Sequence, residues 1–544
     1  MAYATLALSI LAPLVFLIVL RSFSQLQSKR ASKFPPGPPA IPLLGNLHQI
    51  PLTRPFLQFA EWSRTYGAHG LVGLHLGPRK KAVVLNSWQS VRDLLDQRGS
   101  IYSSRPRVPI VDYVVPRPGG GDIHLVFMPY GAKFRRARKT IGKYLRDDEV
   151  DKLVPIQDAE SSQMMHELLR RPDRYHEHAL RLFGAAIMAS VFGVRGERYD
   201  DEGSKIRRFF EIQHKWASLL APGSVPPLEV FPFLARVPDI LTPWRGWKGR
   251  AERLRQRQSS LYHDLFGEAK ERVEAGRGRE SFVAALLRSG EGDAYGRVEL
   301  DYITGFLMEG GSDTTAGAFE TFVLAMAAHP SIQKQAQAEV DKVFGHDGVV
   351  AARARANDLP FLKAHCDGVR GSLGIPHATL QDDVYQGYVI PANTPVFMNT
   401  WAVNHDPDEY EQPDIFNPDR FLEHPLGIRP SSAEAAATTP AEGGPAVSDL
   451  SRRQSYSFGA GRRVCGGQRM AENSLMLTMS KLLWAFDVVA IQGLVDTDVQ
   501  TAFKDAILTG PEEFAVDFQI RDGHRKEVVM KEWEKADEYL KRFE

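Results

Sequence analysis

Cysteine is nearly absent from this sequence: its 544 residues contain only two, Cys366 and Cys465. Two cysteines cannot form a disulfide framework, and Cys465 has no second cysteine nearby with which to make a redox pair or a zinc site. The shortage therefore excludes the disulfide-rich secreted class of protein. It also indicates that the folded part of the chain resides in a reducing compartment.

A surplus of charge of either sign is also missing. Lysine and arginine number 67, aspartate and glutamate number 66, and the formal net charge is +1. This balance excludes nucleic-acid binding through bulk positive charge, so we expect no nucleic-acid partner. Internal repeats are missing as well. A hydrophobic content of 43% with 10% aromatic residues is nevertheless sufficient for a large core.

A long uncharged apolar run is present at the N terminus. Residues 2–20 carry no charged side chain, and a run of this length can span a bilayer as a helix. Basic residues follow the run and none precedes it, which favours a cytosolic position for the rest of the chain. We therefore predict a transmembrane anchor at 1–21 and a basic, proline-rich hinge at 22–47. A cleaved signal peptide is the alternative, but the basic segment that normally opens one is missing.

The remainder of the chain is predicted to be mainly helical with a minor β-sheet. Amphipathic periodicity indicates long helices at 151–169, 250–275, 300–328 and 329–344. Short strands are predicted on both sides of a Gly77-Pro78 turn and at 383–400. Residues 428–450 are poor in large apolar side chains, and we predict a low-complexity surface loop there, within a single domain that spans 48–544.

The stretch SFGAGRRVCGG, residues 457–467, surrounds Cys465 with glycine and arginine. A thiol in such a turn can serve as a nucleophile, a metal ligand or a redox partner. An axial thiolate ligand of haem iron fits the local pattern best, because glycines allow backbone N–H groups to approach the sulfur and tune the iron. Arg463 adds a cation that can favour the thiolate or pair with a haem carboxylate. A structural cysteine buried in a turn is the alternative.

Three motifs carry a family resemblance. The first is the spacing F-x-x-G-x-R-x-C-x-G, which resembles the haem-binding loop of the cytochromes P450 and is formed by Phe458, Gly461, Arg463, Cys465 and Gly467. GGSDTT at 310–315 resembles the oxygen-activation motif of that family, and FNPDRF at 416–421 resembles its P-x-R-F segment. The resemblance covers essentially the whole chain. It implies the mainly α cytochrome P450 fold, preceded by one N-terminal transmembrane helix, with haem b bound through Cys465.

The resemblance assigns residues 310–315 to the helix that crosses the haem. Gly310 and Gly311 would leave room for the flat ring and for dioxygen, whereas close packing against a neighbouring segment is the structural alternative. Asp313 and Thr314 would deliver protons during dioxygen activation. The Thr314 hydroxyl can also bond a carbonyl of its own helix and open a local bulge. Thr315 is expected to be a packing neighbour.

Further residues of the haem site follow from the same resemblance. Arg138 matches the arginine of a W-x-x-x-R pattern that reaches a haem propionate, and Phe134 replaces its tryptophan, so one indole N–H donor is lost. His377 matches another position that faces a propionate, and Phe458 belongs to the haem loop. A basic surface would dock an acidic reductase, or else be an ordinary solvated face. Its residues are Arg135, Arg136, Lys139, Lys143, Arg452, Arg453 and Arg462.

One segment departs from the family pattern. The family places Glu-x-x-Arg on the helix after DLPFLKA, but this sequence continues HCDGVRGSLGIPHA. Asp367 and Arg370 keep the acid–arginine spacing with a shorter acid, and they would form a buried ionic network with Arg420. In the alternative alignment, glycines occupy the two motif positions and the network is lost. Several residues before Gly374 are also missing.

The sequence thus predicts a haem-thiolate monooxygenase that hydroxylates or epoxidises a lipophilic small molecule. Resemblance to microsomal members implies electrons from an NADPH-cytochrome P450 reductase, with cytochrome b5 as a second donor. It also implies a catalytic domain on the cytosolic side of the endoplasmic reticulum membrane. Resemblance to fungal members implies a secondary-metabolite intermediate as substrate. Its pocket would be lined by residues 107–126, 204–247 and the helix of Phe306.

Two alternatives stay open at this point. The altered segment at 365–374 would fit a catalytically impaired or misfolded family member, or a gene model that lacks part of an exon. A haem-thiolate isomerase or dehydratase that needs no reductase is the second alternative. The Asp313–Thr314 pair argues against it, because such chemistry needs no proton delivery to dioxygen.

Overall fold

The computed structural model describes residues 33–116, 120–196, 198–277, 280–345, 359–362, 373–429, 452–453, 455–491, 493, 495–504 and 510–544. The predicted anchor at 1–21, the first part of the hinge, Asp367, Arg370 and the predicted loop from residue 430 onward lie outside the described residues. Within the described part, no helix combines the length and the apolar character needed to cross a membrane.

Helices dominate the described chain, which confirms the mainly helical class. The longer ones are α1 (Pro55–Tyr66), α2 (Ala132–Tyr144), α3 (Val154–Arg170), α4 (Tyr175–Phe192), α5 (Lys205–Leu220), α6 (Trp247–Glu274), α7 (Phe282–Arg288), α8 (Arg297–Ala328), α9 (Pro330–Phe344), α10 (Gln468–Ala485) and α11 (Gly523–Leu540). Short helices lie at Trp88–Val91, Gly99–Tyr102, Val111–Val114, Asp147–Asp151, Thr400–Asn404 and Asp419–Glu423, with a π-turn at Arg92–Gln97. The four helices predicted from periodicity correspond to α3, α6, α8 and α9, with ends shifted by a few residues.

The helix ends follow from local sequence. The predicted break at His329-Pro330 is confirmed, because α8 ends at Ala328 and α9 begins at Pro330, where the missing N–H is not needed. Polar side chains accept hydrogen bonds from first-turn N–H groups at other helix starts: Ser204 caps α5 at 3.3 Å, and Asp522 caps α11 at 2.8 Å.

The chain divides into two compact units. The smaller one comprises the described residues of 33–106, 373–403 and 460–462, and the larger one comprises those of 107–372, 404–459 and 463–544. Residue 48 does not separate the predicted hinge from the fold, because residues of the hinge pack against the first strand. The N–H of Gly73 donates to the carbonyl of Pro36 at 2.8 Å, and Phe34 is buried. The predicted single domain over 48–544 stays a prediction.

Strands β1 (Leu71–Leu76), β2 (Lys80–Leu85), β3 (His377–Ala378), β4 (Asp383–Tyr385), β5 (Tyr388–Ile390) and β6 (Pro395–Met398) belong to the smaller unit. The predicted Gly77-Pro78 turn is confirmed: β1 and β2 pair antiparallel around it, and β2 continues parallel to β6 in a four-stranded sheet of order β1-β2-β6-β3. The second predicted strand region is confirmed by β4, β5 and β6. In the larger unit, β7 (Phe486–Ala490) and β8 (Val516–Ile520) pair antiparallel.

Helix α8 runs through the core of the larger unit, where it packs against α4, α6 and α10. Its buried residues occur on every face, so its sequence is apolar all round and lacks the one-sided pattern of a surface helix. Such a helix tolerates bulky neighbours only where its own side chains are small. A Cβ added at Gly305, for example, would lie 2.4 Å from the ring atom Cδ2 of Tyr262.

Candidate active site

Cys465 lies in a turn that ends directly before α10. Its N–H donates to the carbonyl of Phe458 at 2.8 Å, and Gly459 between them has φ 81°, a left-handed conformation that side chains disfavour. Because α10 begins at Gln468, the turn presents the thiol near the N-terminal end of a helix, where the helix dipole favours a negative charge.

The environment of the Cys465 thiol combines opposing effects. Burial of the sulfur among protein atoms raises its pKa, whereas the N–H of Gly467 and the guanidinium of Arg138 lower it. The residue as a whole nevertheless remains exposed. A thiol in an exposed residue, with a backbone donor and a cation beside it, has the chemistry required of a thiolate ligand to haem iron. The residues at this turn therefore fit the predicted cofactor.

Two arginines stabilise the cysteine turn through hydrogen bonds to backbone carbonyls. Arg138 of α2 donates to the carbonyl of Val464 at 2.5 Å. The guanidinium of Arg463 donates to the carbonyl of Met128 at 2.6 Å and stacks 3.6 Å above the ring of Phe134. The phenylalanine that replaces the family tryptophan thus retains an aromatic face for this arginine. Arg138 was predicted from a different motif than Arg463 and Cys465, and the structure brings the three residues together here.

The two glycines of the α8 motif have different surroundings. A Cβ added at Gly310 would meet only Cζ of Phe306, at 3.9 Å, so this position leaves space beside the helix. A Cβ added at Gly311 would lie 2.5 Å from Cδ1 of Ile187 on α4, so close packing accounts for this glycine. Gly310 therefore fits the predicted role of leaving room for a ring, and Gly311 fits the structural alternative.

The threonines that follow also differ. The Thr314 hydroxyl is exposed and donates to the carbonyl of Gly310 at 2.7 Å, as its helix-bonding capacity predicts. Thr315 is buried and donates to the carbonyl of Gly311 at 3.0 Å, which agrees with its expected packing role. The local bulge expected at Thr314 is not formed, because α8 is continuous through this region.

The pKa of Asp313 is influenced by titratable residues from three other segments as well as from its own helix. Burial raises the pKa of Asp313, the neighbouring Glu320 raises it further, and His214 of α5, Lys504 and His176 of α4 oppose the rise. His176 itself lies 2.5 Å from Glu320, between Nδ1 and Oε1. An acid with a raised pKa can retain a proton that it later releases. We missed the two histidines from sequence because no local pattern connects α4 and α5 to the motif on α8.

The structure also describes two other predicted residues, His377 and Arg420. In the smaller unit, His377 is buried in β3 with Nδ1 2.8 Å from the carbonyl of Tyr102. In the larger unit, Arg420 donates to the carbonyls of Gln412, Ile415 and Asn417, and burial lowers its pKa. Since Asp367 and Arg370 lie outside the described residues, the predicted network of these two residues with Arg420 stays a prediction.

One part of the predicted docking surface is wrong. Arg452 is an almost completely buried side chain that pairs with Glu409 at 2.8 Å and donates to the Tyr410 hydroxyl. It stabilises the larger unit internally and does not present charge to a partner. On α2, by contrast, the basic side chains are exposed; they are Arg135, Arg136, Lys139 and Lys143.

Comparisons with known proteins agree with this geometry. The family model described as Cytochrome P450 matches residues 35–518. A cytochrome P450 monooxygenase of Armillaria gallica is 33% identical over 552 residues, which cover 100% of this chain and 99% of that protein. The cytochrome P450 monooxygenase fogE of Aspergillus ruber is 33% identical over 94% of this chain and 91% of its own. A zebra fish cytochrome P450 structure with progesterone has the same fold, with a TM-score of 0.67 at 24% identity, and covers 86% of this chain and 99% of its own. The chain therefore belongs to the cytochrome P450 family, and it is an oxidoreductase of the monooxygenase class that uses haem iron.

Proposed function

We propose that this monooxygenase hydroxylates or epoxidises a lipophilic small molecule with electrons from an NADPH-dependent reductase. The observation that carries the proposal is the exposed residue Cys465, whose thiol has the N–H of Gly467 and the cation of Arg138 beside it. Bound haem supplies the redox-active iron that activates dioxygen. Cys465 would hold the iron, Arg138, Arg463 and His377 would bind the propionates, and Gly310 would leave room for the ring.

Asp313 and Thr314 are proposed to move protons at the reacting face. The Thr314 hydroxyl is exposed and keeps a fixed orientation through its bond to the Gly310 carbonyl. Asp313 follows one residue earlier on α8, and its raised pKa lets the carboxyl hold a proton under conditions in which an ordinary aspartate is ionised. His214 and Lys504 both lower the pKa of Asp313, and we propose that these two side chains resupply its proton.

The reductase is proposed to dock on the exposed basic face of α2. Four cations there, Arg135, Arg136, Lys139 and Lys143, would steer an acidic partner, and cytochrome b5 would compete for the same face. The double charge reversal Arg135→Glu with Lys139→Glu is expected to slow reduction by the reductase most strongly at low salt. A matched control is Arg253→Glu with Lys270→Glu on α6, which reverses the same amount of charge elsewhere. Equal rates for the two double variants would contradict docking on α2.

The substrate is proposed to be lipophilic and to arrive from a membrane surface. Large apolar side chains between α5 and α6 are exposed: Phe233 is 63% exposed, and Ile240 and Leu241 are each 74% exposed. Together with the predicted anchor at 1–21, they support residence on the endoplasmic reticulum membrane. Because relatives in Armillaria and Aspergillus are fungal monooxygenases, we propose a fungal secondary-metabolite intermediate as the substrate class.

The carbon monoxide difference spectrum of the reduced protein tests the proposal. A strongly red-shifted Soret band is expected for the wild type, since it reports a thiolate ligand on haem iron. Cys465→Ser is expected to lose this band, whereas Cys366→Ser, at the other cysteine of the sequence, is the matched control and is expected to keep it. No band in the wild type would contradict the proposed site, and a band without reductase-dependent NADPH oxidation would favour the isomerase or dehydratase alternative.

A further inference from the structure

A buried polar network surrounds Glu309, the residue directly before Gly310 on α8. Its Oε2 lies 3.0 Å from Nε2 of His124, and its Oε1 accepts hydrogen bonds from Nε2 of Gln258 at 3.3 Å and from the Tyr262 hydroxyl. His124, Gln258 and Tyr262 are at most 1% exposed, and Glu309 is 6% exposed. A carboxyl group is therefore surrounded by three side chains in the core of the larger unit.

The donors and acceptors of this network have fixed directions. The Tyr302 hydroxyl donates to Oε1 of Gln258 at 3.2 Å, so the amide nitrogen of that glutamine faces Glu309. Burial and the neighbouring Glu309 raise the pKa of Tyr262 well above its ordinary value, so the phenol keeps its proton and donates it. Glu309 is thus the common acceptor, and His124 must present Nε2–H toward it.

This arrangement leaves the other ring nitrogen of His124 without a partner. Nδ1 is buried and has no hydrogen-bond partner among the residues that the structure describes. A buried polar atom without a partner costs free energy, and such atoms are rare in folded proteins. The network that holds Nε2 so firmly therefore also holds Nδ1 in a fixed and unsatisfied position, which is how a protein prepares a polar contact for a ligand.

The surroundings of His124 indicate which ligand. Aromatic rings enclose the imidazole: the ring centroids of Phe127, Phe306 and Trp216 lie 5.1, 6.1 and 6.2 Å from its own. Phe306 is also the ring whose Cζ lies 3.9 Å from the position of a Cβ at Gly310. Phe306 thus borders both His124 and the space beside Gly310, where the reacting face of the haem is proposed to be.

We propose that Nδ1 of His124 binds a hydroxyl group of the substrate, and that Glu309 positions the imidazole for this contact. The inference rests on the proposed function, because it places the substrate beside Gly310. A hydroxyl is the group that pairs with Nδ1 in either protonation state, since it donates to the neutral ring and accepts from the imidazolium. The enclosing rings require the rest of the molecule to be apolar, so the substrate class is a lipophilic aromatic or polycyclic alcohol or phenol.

The holoenzyme is tested with two probes of equal size, 2-naphthol and 2-methylnaphthalene, whose dissociation constants are measured by calorimetry. The wild type is expected to bind 2-naphthol roughly tenfold more tightly, the factor that one buried hydrogen bond provides. His124→Gln places its amide where Nε2 lies and keeps the bond to Glu309, but it has no atom at Nδ1. This variant is expected to bind both probes about equally.

Two further variants complete the test. His166→Phe is the matched control, because His166 also has a buried ring nitrogen without a described partner but stacks on Trp533 of α11; it is expected to keep the wild-type preference. His124→Asn retains a polar atom near the Nδ1 position and is expected to keep part of the preference. If His124→Gln does not incorporate haem, His124→Asn decides the question, and equal binding of the two probes by it overturns the proposal.

The reduced carbon monoxide spectrum separates the two levels of inference. A wild type without the red-shifted band contradicts the proposed function itself. If the wild type shows the red-shifted band but does not bind 2-naphthol more tightly than 2-methylnaphthalene, only the role of His124 is overturned. Retention of the full preference by His124→Gln overturns it as well.

Discussion

Replacement of Arg181 by methionine should destabilise the protein severely, because it leaves a buried carboxylate without its partner. Arg181 of α4 and Glu160 of α3 have side chains that are each 1% exposed, with Nη1 and Oε2 2.5 Å apart; Nε of Arg181 also lies 2.8 Å from Glu167. Removal of one partner of a buried ion pair typically costs about 3–5 kcal/mol. A domain is stable by only about 5–15 kcal/mol, so this loss is a large part of the total.

The measurement is urea-induced unfolding, followed by far-UV circular dichroism on samples of equal haem content. Arg174→Met is the matched control, because Arg174 pairs with Glu177 at 3.2 Å while both side chains are about one third exposed. Exposed pairs contribute at most about 1 kcal/mol, so this control should unfold close to the wild type. The double variant Arg181→Met with Glu160→Gln should recover part of the loss, since the uncompensated charge is gone.

The pH dependence provides a second readout for Arg181→Met. Burial raises the pKa of Glu160 and Arg181 opposes that rise, so loss of the arginine raises the pKa further than in the wild type. A raised carboxyl pKa means that stability is lost as the pH rises from the ordinary carboxyl range, about 4, toward the raised value. The variant should therefore approach the wild type in acid. If Arg181→Met lowers the free energy of unfolding no more than Arg174→Met does, the reasoning is refuted.

Three other predictions follow from the site. In urea unfolding of haem-free protein, Gly310→Ala should be neutral or stabilising by up to about 1 kcal/mol, because its Cβ meets only Phe306 among protein atoms, at 3.9 Å. Gly311→Ala should cost about 1–3 kcal/mol in the same assay, because its Cβ would lie 2.5 Å from Ile187. Asp313→Asn should lower the rate of product formation by about 10²–10⁴-fold with normal haem content, and similar turnover would contradict a proton-transfer role. The same variant should gain stability relative to the wild type as the pH rises above about 4, because the raised pKa of Asp313 costs the folded wild type stability there. A difference in free energy of unfolding that stays constant with pH would contradict the raised pKa.

The fold class and the cysteine turn could be predicted from sequence because their signals are local. Periodicity identified α3, α6, α8 and α9, and the proline rule identified the break before Pro330. Arg138 and Cys465 come from motifs far apart in the chain, and each motif was recognisable without its neighbour. The docking surface was predicted less well, since nothing in the sequence around Arg452 indicates that Glu409 neutralises it in the interior.

The sequence by itself determined four of the long helices, α3, α6, α8 and α9, and the two strand regions, because helix periodicity and proline stereochemistry act over short stretches of chain. Its motifs also predicted the residues that would bind haem. Only the tertiary structure decided that Gly310 leaves space while Gly311 packs on Ile187, and that His214 and His176 act on the pKa of Asp313. It alone placed His124 on Glu309 with one ring nitrogen unsatisfied. These features depend on side chains that meet from separate helices, and their energies arise from burial, which no local pattern records.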